Sequence, residues 1–188
     1  MQCSGDKMTA VMNENCIDET FFLGSLYKRA NLNFVLDGCM TQKYYEINKF
    51  ASEATSKKIS FNLFTLSDTA TISVPSFPVF SASYLCAIYG PTLCYSYNAF
   101  NAVKSNINLA KPLILMVTDI EDWKIEHITS ENIFSSADLV IFPNEYIKQV
   151  FDSRYSGTYR KAAIILPQSA EDYIRILQYA TKEQKSTN

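Results

Sequence analysis

Glycine and proline are scarce, five and six in 188 residues, histidine and tryptophan occur once each, and neither charge sign prevails, with 17 Lys and Arg against 19 Asp and Glu. Each shortage excludes something. So few glycines leave no Gly-x-Gly-x-x-Gly after the first predicted strand and no Gly-x-x-x-x-Gly-Lys-Ser/Thr, the two familiar loops that cradle a dinucleotide or a triphosphate. A net charge of −2, with basic residues dispersed rather than interleaved with aromatics, argues against a platform for polyanions, so no nucleic-acid partner is expected. Five cysteines, Cys3, Cys16, Cys39, Cys86 and Cys94, are odd in number and form no CxxC pair. They indicate neither a zinc cluster nor a complete disulfide framework, and a reducing compartment is expected. No stretch approaches the ~20 apolar residues that span a bilayer, and the first residues lack the apolar run of a signal peptide. A soluble cytoplasmic protein without a membrane partner and without a cofactor is the expectation.

What the chain does have is material for a core: 47% of its residues are hydrophobic and 13% aromatic. Asn, Lys, Ile, Tyr and Phe are abundant, a usage that fits an AT-rich genome such as that of a phage, whose protein would sit in host cytoplasm or virion.

Residues 1–30 read as an extension, polar at first and then carrying a short helix capped at Asp18-Glu19-Thr20 ahead of Phe21, Phe22, Leu23 and Leu26. From residue 31 to 183, apolar runs of strand length alternate with helix-spaced segments, which predicts a single α/β domain, a Rossmann-like three-layer sandwich around a mostly parallel sheet of about six strands. Residues 184–188 form a polar tail. The first strand is Asn33-Phe34-Val35-Leu36, and the helix after it sets Met40, Tyr44, Ile47, Ala51 and Ala54 on one face. Ile59–Leu66 is the second strand. Pro75 and Pro78 limit Ile72–Val74 to an edge and favour Phe77–Ser81 as the sheet member. A short helix over Ser83–Tyr89 is stopped by Gly90-Pro91. Thr92–Tyr95, Pro112–Val117, Ala137–Phe142 and Ala162–Leu166 complete the strands. Between and after them, helices carry Ala99, Ala102, Val103 and Ile107, then residues 129–136, then Ile147, Val150 and Phe151 behind an Asn144 cap. A terminal helix with Tyr173, Ile176, Leu177 and Ala180 begins at Ser169-Ala170-Glu171-Asp172, which has the spacing of a capping box.

In an open parallel sheet, ligands gather beyond the strand carboxyl ends, so the candidates are the polar residues that follow each strand. Asp37, Gly38, Ser96, Asn98, Asp119 and Asn144 are the ligand-binding candidates on that ground, with Ser67-Asp68, Ser81-Ala82-Ser83 and Gln168-Ser169 at the remaining ends. All of them also suit turns and helix caps. Asp119 and Glu121, with Asp122 beside them, could hold a hard cation such as Mg²⁺ through carboxylate oxygens, or could form a solvated turn before Trp123 and Lys124. In an extended segment Asp119 and Glu121 share a side and Asp122 points away. His127 could serve as a general base, since imidazole as a group titrates near neutral pH, or could stand at the surface or at a helix entry. No Gly-x-Ser-x-Gly marks a nucleophile, and hydrolase chemistry has no support.

Lys111-Pro112-Leu113-Ile114-Leu115-Met116-Val117-Thr118-Asp119, Ser136-Ala137-Asp138-Leu139-Val140-Ile141-Phe142-Pro143-Asn144-Glu145-Tyr146-Ile147-Lys148 and Lys161-Ala162-Ala163-Ile164-Ile165-Leu166-Pro167 together resemble the amino-terminal, acceptor-side half of glycosyltransferases with the two-domain GT-B fold. The resemblance covers about residues 31–168 and implies a sugar or nucleotide-sugar ligand in the strand-end cleft. It departs from the family after Pro167, where one helix and a tail stand in place of the donor-binding domain, and at Gly38, which is all that remains of a glycine-rich loop. The chain is therefore expected to be a stand-alone GT-B-like half-domain, incomplete as an enzyme on its own. The alternative is a non-catalytic structural or interaction protein on the same fold, meeting a protein partner or its own copy through aromatic clusters such as Tyr95-Tyr97-Phe100 or Phe21-Phe22.

Overall fold

The structure, a computed structural model, describes residues 32–37, 46–47, 50, 53–54, 59–66, 79–104, 110–125 and 133–181. Seven strands form one sheet: β1 (Leu32–Leu36), β2 (Phe61–Thr65), β3 (Val79–Ser81), β4 (Thr92–Cys94), β5 (Leu113–Met116), β6 (Leu139–Phe142) and β7 (Ala162–Ile164). Their order is β3-β2-β1-β4-β5-β6-β7, and every neighbouring pair is parallel. The α/β Rossmann-like expectation holds, with one strand more than the six or so predicted. Both edges, β3 and β7, are three residues long and fall within segments read as strands from sequence, Phe77–Ser81 and Ala162–Leu166.

Period-two alternation sorts the strand side chains onto two faces, and helices cover both. On one face Val35, Phe64, Cys94, Leu115 and Val140 pack with Ala99, Phe100 and Val103 of α1 (Tyr97–Lys104) and Phe151 and Tyr155 of α2 (Glu145–Tyr155). On the other, Leu32, Phe34, Leu63, Ile114 and Ile141 meet the helical residues Ile47, Phe50 and Ala54 and the apolar stripe Tyr173, Ile176 and Ala180 of α3 (Ala170–Thr181). The result is a three-layer sandwich. β1 is buried at all five positions because it lies inside the sheet and under both layers.

Two buried amides interrupt the apolar run of β1 and β2, and they are matched across the strands. Asn62 Nδ2 donates to Asn33 Oδ1 at 3.1 Å, and Asn33 Nδ2 donates to the Tyr89 carbonyl at 2.8 Å, so both buried amides are hydrogen-bonded.

Some element boundaries differ from those expected. The helix expected over Ser83–Tyr89 is a 3-10 segment, Ala82–Ala87, that seats Leu85 and leaves Ile88 fully buried before Gly90 (φ 92°) turns the chain. Of the helix expected over residues 129–136, residues 133–136 form a turn that inserts Phe134 into the core, and the rest lies outside the described residues. The aromatic cluster Tyr95-Tyr97-Phe100 is not an exposed contact surface. Phe100 is buried and Tyr97 half-buried because α1 packs its aromatic side against Phe134, and Tyr95 is buried in the other core layer against Phe34 and Tyr173. The Asp18 capped helix, Phe21-Phe22, Ile72–Val74, Ser67-Asp68, Gly38 and His127 lie outside the described residues. Among the described residues no helix is long and apolar enough to cross a membrane.

Candidate functional site at the strand carboxyl ends

Chain order reverses direction across the sheet between β1 and β4, so their carboxyl ends diverge and leave a crevice there. Asp37 follows β1, and Ser96 and Asn98 follow β4; the parallel sheet places both ends on one rim, with Asp119 after β5 and Asn144 after β6. A cavity of about 250 Å³ opens at this point, lined by Asp37, Ser96, Tyr97, Asn98, Glu121, Asp122 and Lys124. Four of the predicted site residues, Asp37, Ser96, Asn98 and Glu121, thus come together. Asp119 and Asn144 share the rim but not the cavity lining.

Most of these side chains are committed to holding the backbone. Ser96 Oγ, buried, accepts from the Ala99 N–H at 3.0 Å and caps α1. Asn144 Oδ1 accepts from the Ile147 N–H at 2.9 Å and caps α2. Asp119 Oδ1 accepts from the Glu121 N–H at 2.9 Å and closes a turn. Asn98 Nδ2 donates to Asp37 Oδ2 at 2.6 Å across the crevice. Each cap satisfies an N–H that the first turn of a helix leaves without an intrahelical partner.

The segment after Asp119 is not extended. Glu121–Trp123 is a 3-10 turn, so Glu121 and Asp122 both reach the cavity, contrary to the alternation expected of a strand. Trp123 is the reason: its ring is wholly buried, edge-on to Phe134 and Phe151, and its carbonyl accepts from Tyr155 Oη at 2.8 Å. Lys124 pairs with Glu121. Among the described residues no group of three His, Cys, Asp or Glu side chains is placed to hold a metal ion. With three carboxylates against one paired ammonium, the cleft is negative; it favours hydroxyl donors and disfavours phosphate.

A second cavity, of about 160 Å³, lies under the other helical layer, where the sequence gives no sign of one. Glu46, Glu53, Tyr95, Thr118, Gln168 and Tyr173 are among its walls. Tyr95 and Tyr173 hydroxyls meet at 3.1 Å, and burial raises both phenols, Tyr173 to about 12, so neither supplies a base at neutral pH. The pair is separated by 78 positions in the chain, and no local pattern announces it. Glu53 Oε2 accepts from the Ala170 N–H at 2.9 Å, at the start of α3, which ties the first helical layer to the last helix. Of the predicted strand-end residues, Gln168 and Ser169 belong here.

No family model matches the chain, and no solved structure matches it. The chain is similar to the telomere-binding protein OPG082 of Monkeypox virus, at 27% identity over 142 residues. That stretch takes in 70% of this chain and 37% of the viral protein, so the chain spans little more than a third of its relative's length.

Proposed function

We propose that the chain is a non-catalytic DNA-binding domain of viral type, acting at the ends of a linear duplex. The observation that carries this reading is the likeness to a telomere-binding protein over 70% of the chain. The use of Ser96, Asp119 and Asn144 as caps and turn-closers supports it, because it accounts for these strand-end polar groups without a reaction. The reading runs against the expectation of no nucleic-acid partner, which rested on dispersed bases and a balanced net charge. Dispersal along a sequence does not prevent charges from meeting in a fold. The test is anisotropy of a labelled linear duplex, competed by unlabelled linear duplex and by a covalently closed circle of the same sequence. Preferential competition by the linear form is expected. Equal competition removes the end preference, and no binding of either form removes the reading.

A second reading has its own observation: the sheet order β3-β2-β1-β4-β5-β6-β7 opens a crevice at Asp37 and Asn98 of the kind in which Rossmann-like folds hold ligands. A GT-B-like origin fits that order, and of the sugar and nucleotide-sugar ligands expected from it the acid-lined cleft suits the sugar, whose hydroxyls donate to the Asp37, Glu121 and Asp122 carboxylates. Calorimetry with a panel of free sugars, and with nucleotide-sugars beside them, tests it, and absence of heat with the full panel counts against it.

A further inference from the structure

Charges are sorted by the ends of the sheet. In a parallel α/β sandwich the strand amino ends and the helix carboxyl ends share one rim, and the opposite termini share the other. The carboxyl-end rim carries Asp37, Asp119, Glu121 and Asp122 after β1 and β5, then Glu145 and Glu171 in the first turns of α2 and α3. Its described cations, Lys124, Lys148 and Arg175, are each paired with an acid.

Among the described residues the other rim carries the opposite sign. Lys104 ends α1, Arg154 lies in the last turn of α2, and Arg160 and Lys161 lead into the edge strand β7. Lys104, Arg154 and Arg160 are exposed. Lys161 donates to the Tyr179 carbonyl at 2.6 Å with its ammonium 3.9 Å from the centre of that ring, and so keeps its charge at a fixed place. Among the described residues, Asp138 at this end is already paired with Lys111, and Asp152, further back along α2, is paired with Lys148 one turn before it. Lys104 and Arg154 complement helix carboxyl termini, which explains their positions. That explanation does not extend to Arg160 and Lys161, which precede a strand.

We infer that duplex DNA is held along the strand amino-end rim by Lys104, Arg154, Arg160 and Lys161, on the side of the sheet away from the strand-end cleft. The inference rests on the DNA-binding reading and gives it a site. A polyanion is drawn to the rim where cations gather and is repelled by the rim where acids outnumber them. Phosphates are what such cations meet, so they position the protein on the duplex and read no base sequence.

The experiment compares two triple variants of equal charge change by anisotropy with a labelled linear duplex over a salt series. Lys104→Gln with Arg154→Gln and Arg160→Gln is expected to weaken binding about tenfold or more and to lower the salt slope by about 0.9 for each phosphate no longer neutralised. Lys124→Gln with Lys148→Gln and Arg175→Gln is expected to change affinity less than about twofold, since these cations face acids. Arg154→Lys with Arg160→Lys should keep binding, which separates loss of charge from loss of fold, and thermal melts accompany each variant. If the two triples weaken binding alike, or the first leaves it unchanged while the natural protein binds, the site is wrong and the DNA reading stands. If the natural protein binds no duplex, both fall.

Discussion

Asn98 Nδ2 and Asp37 Oδ2, 61 positions apart, meet at 2.6 Å across the crevice where the strand order reverses. The bond joins the end of β1 to the start of α1 and fixes the mouth of the cleft. It is exposed, so water competes for both groups, and Asn98→Ala is expected to cost about 1 kcal/mol or less. Urea denaturation checks the value. A cost above about 3 kcal/mol would mean that the pair anchors the two halves of the sheet rather than trimming its rim.

Asp138 makes a different kind of bond. Its Oδ2 accepts from the Leu113 N–H at 2.7 Å and from Lys111 Nζ at 3.0 Å, at the entry to the central strand β5. Asp138→Ala leaves a backbone N–H without its partner and is expected to cost about 2 kcal/mol, whereas Lys111→Ala, at a partly exposed ammonium, costs under about 1 kcal/mol. Equal costs in chemical denaturation would show that the ion pair, and not the bond to the backbone, is what stabilises this corner.

The architecture was legible because its signals are local. Pro112–Val117 is apolar on both faces and became the buried β5, and Asn144 stands one residue before a helix and caps it. Ser169 and Asp172 carry their capping box in four adjacent letters, and the bonds run both ways, Asp172 N–H to Ser169 Oγ at 3.4 Å and Ser169 N–H to Asp172 Oδ2 at 3.1 Å. The site was half legible. Topology brought Asp37, Ser96, Asn98 and Glu121 to one cavity, as parallel strands require. Which polar groups would be absorbed as caps depends on φ and ψ at each strand exit, and no spacing records that. The Tyr95–Tyr173 pair and the charge sorting between the two rims depend on tertiary neighbours, so the dispersal of bases along the chain carries no trace of either.

If Asn144 is a cap, its chemistry can be exchanged for that of another cap. Asn144→Asp and Asn144→Ser should leave the melting temperature nearly unchanged, while Asn144→Ala should cost about 1 kcal/mol, with α2 fraying first. Hydrogen exchange at the Ile147 amide reads this directly. Protection retained in the alanine variant would show that the cap is dispensable and that the Asn144 amide is open to a ligand.

Phe134 is the hub of the core beneath α1 and α2, with ring centroids of Phe100, Phe151, Tyr155 and Trp123 within 5.5 to 5.8 Å. It is fully buried on a turn and not on a regular element. Phe134→Ala should cost about 3–5 kcal/mol, and Phe134→Leu clearly less, since the cavity left behind is smaller. A loss below about 1 kcal/mol for the alanine variant would show that the turn relaxes to fill the space.

Asp172 sets an acid limit on the stability of α3. The Gln168 backbone N–H, at 3.0 Å, together with the Ser169 hydroxyl and N–H, holds its carboxyl below the usual aspartate range. A carboxyl depressed in the folded chain contributes stability above its unfolded value, near pH 3.9, and loses that contribution as pH falls through the folded value. Asp172→Asn keeps the shape but turns one acceptor oxygen into a donor group. The variant should therefore be less stable than the natural chain at about pH 6, and the gap should close below about pH 4. Urea midpoints taken across that range decide it. A gap independent of pH would assign the effect to packing of the side chain and remove the carboxylate from the capping account of this helix.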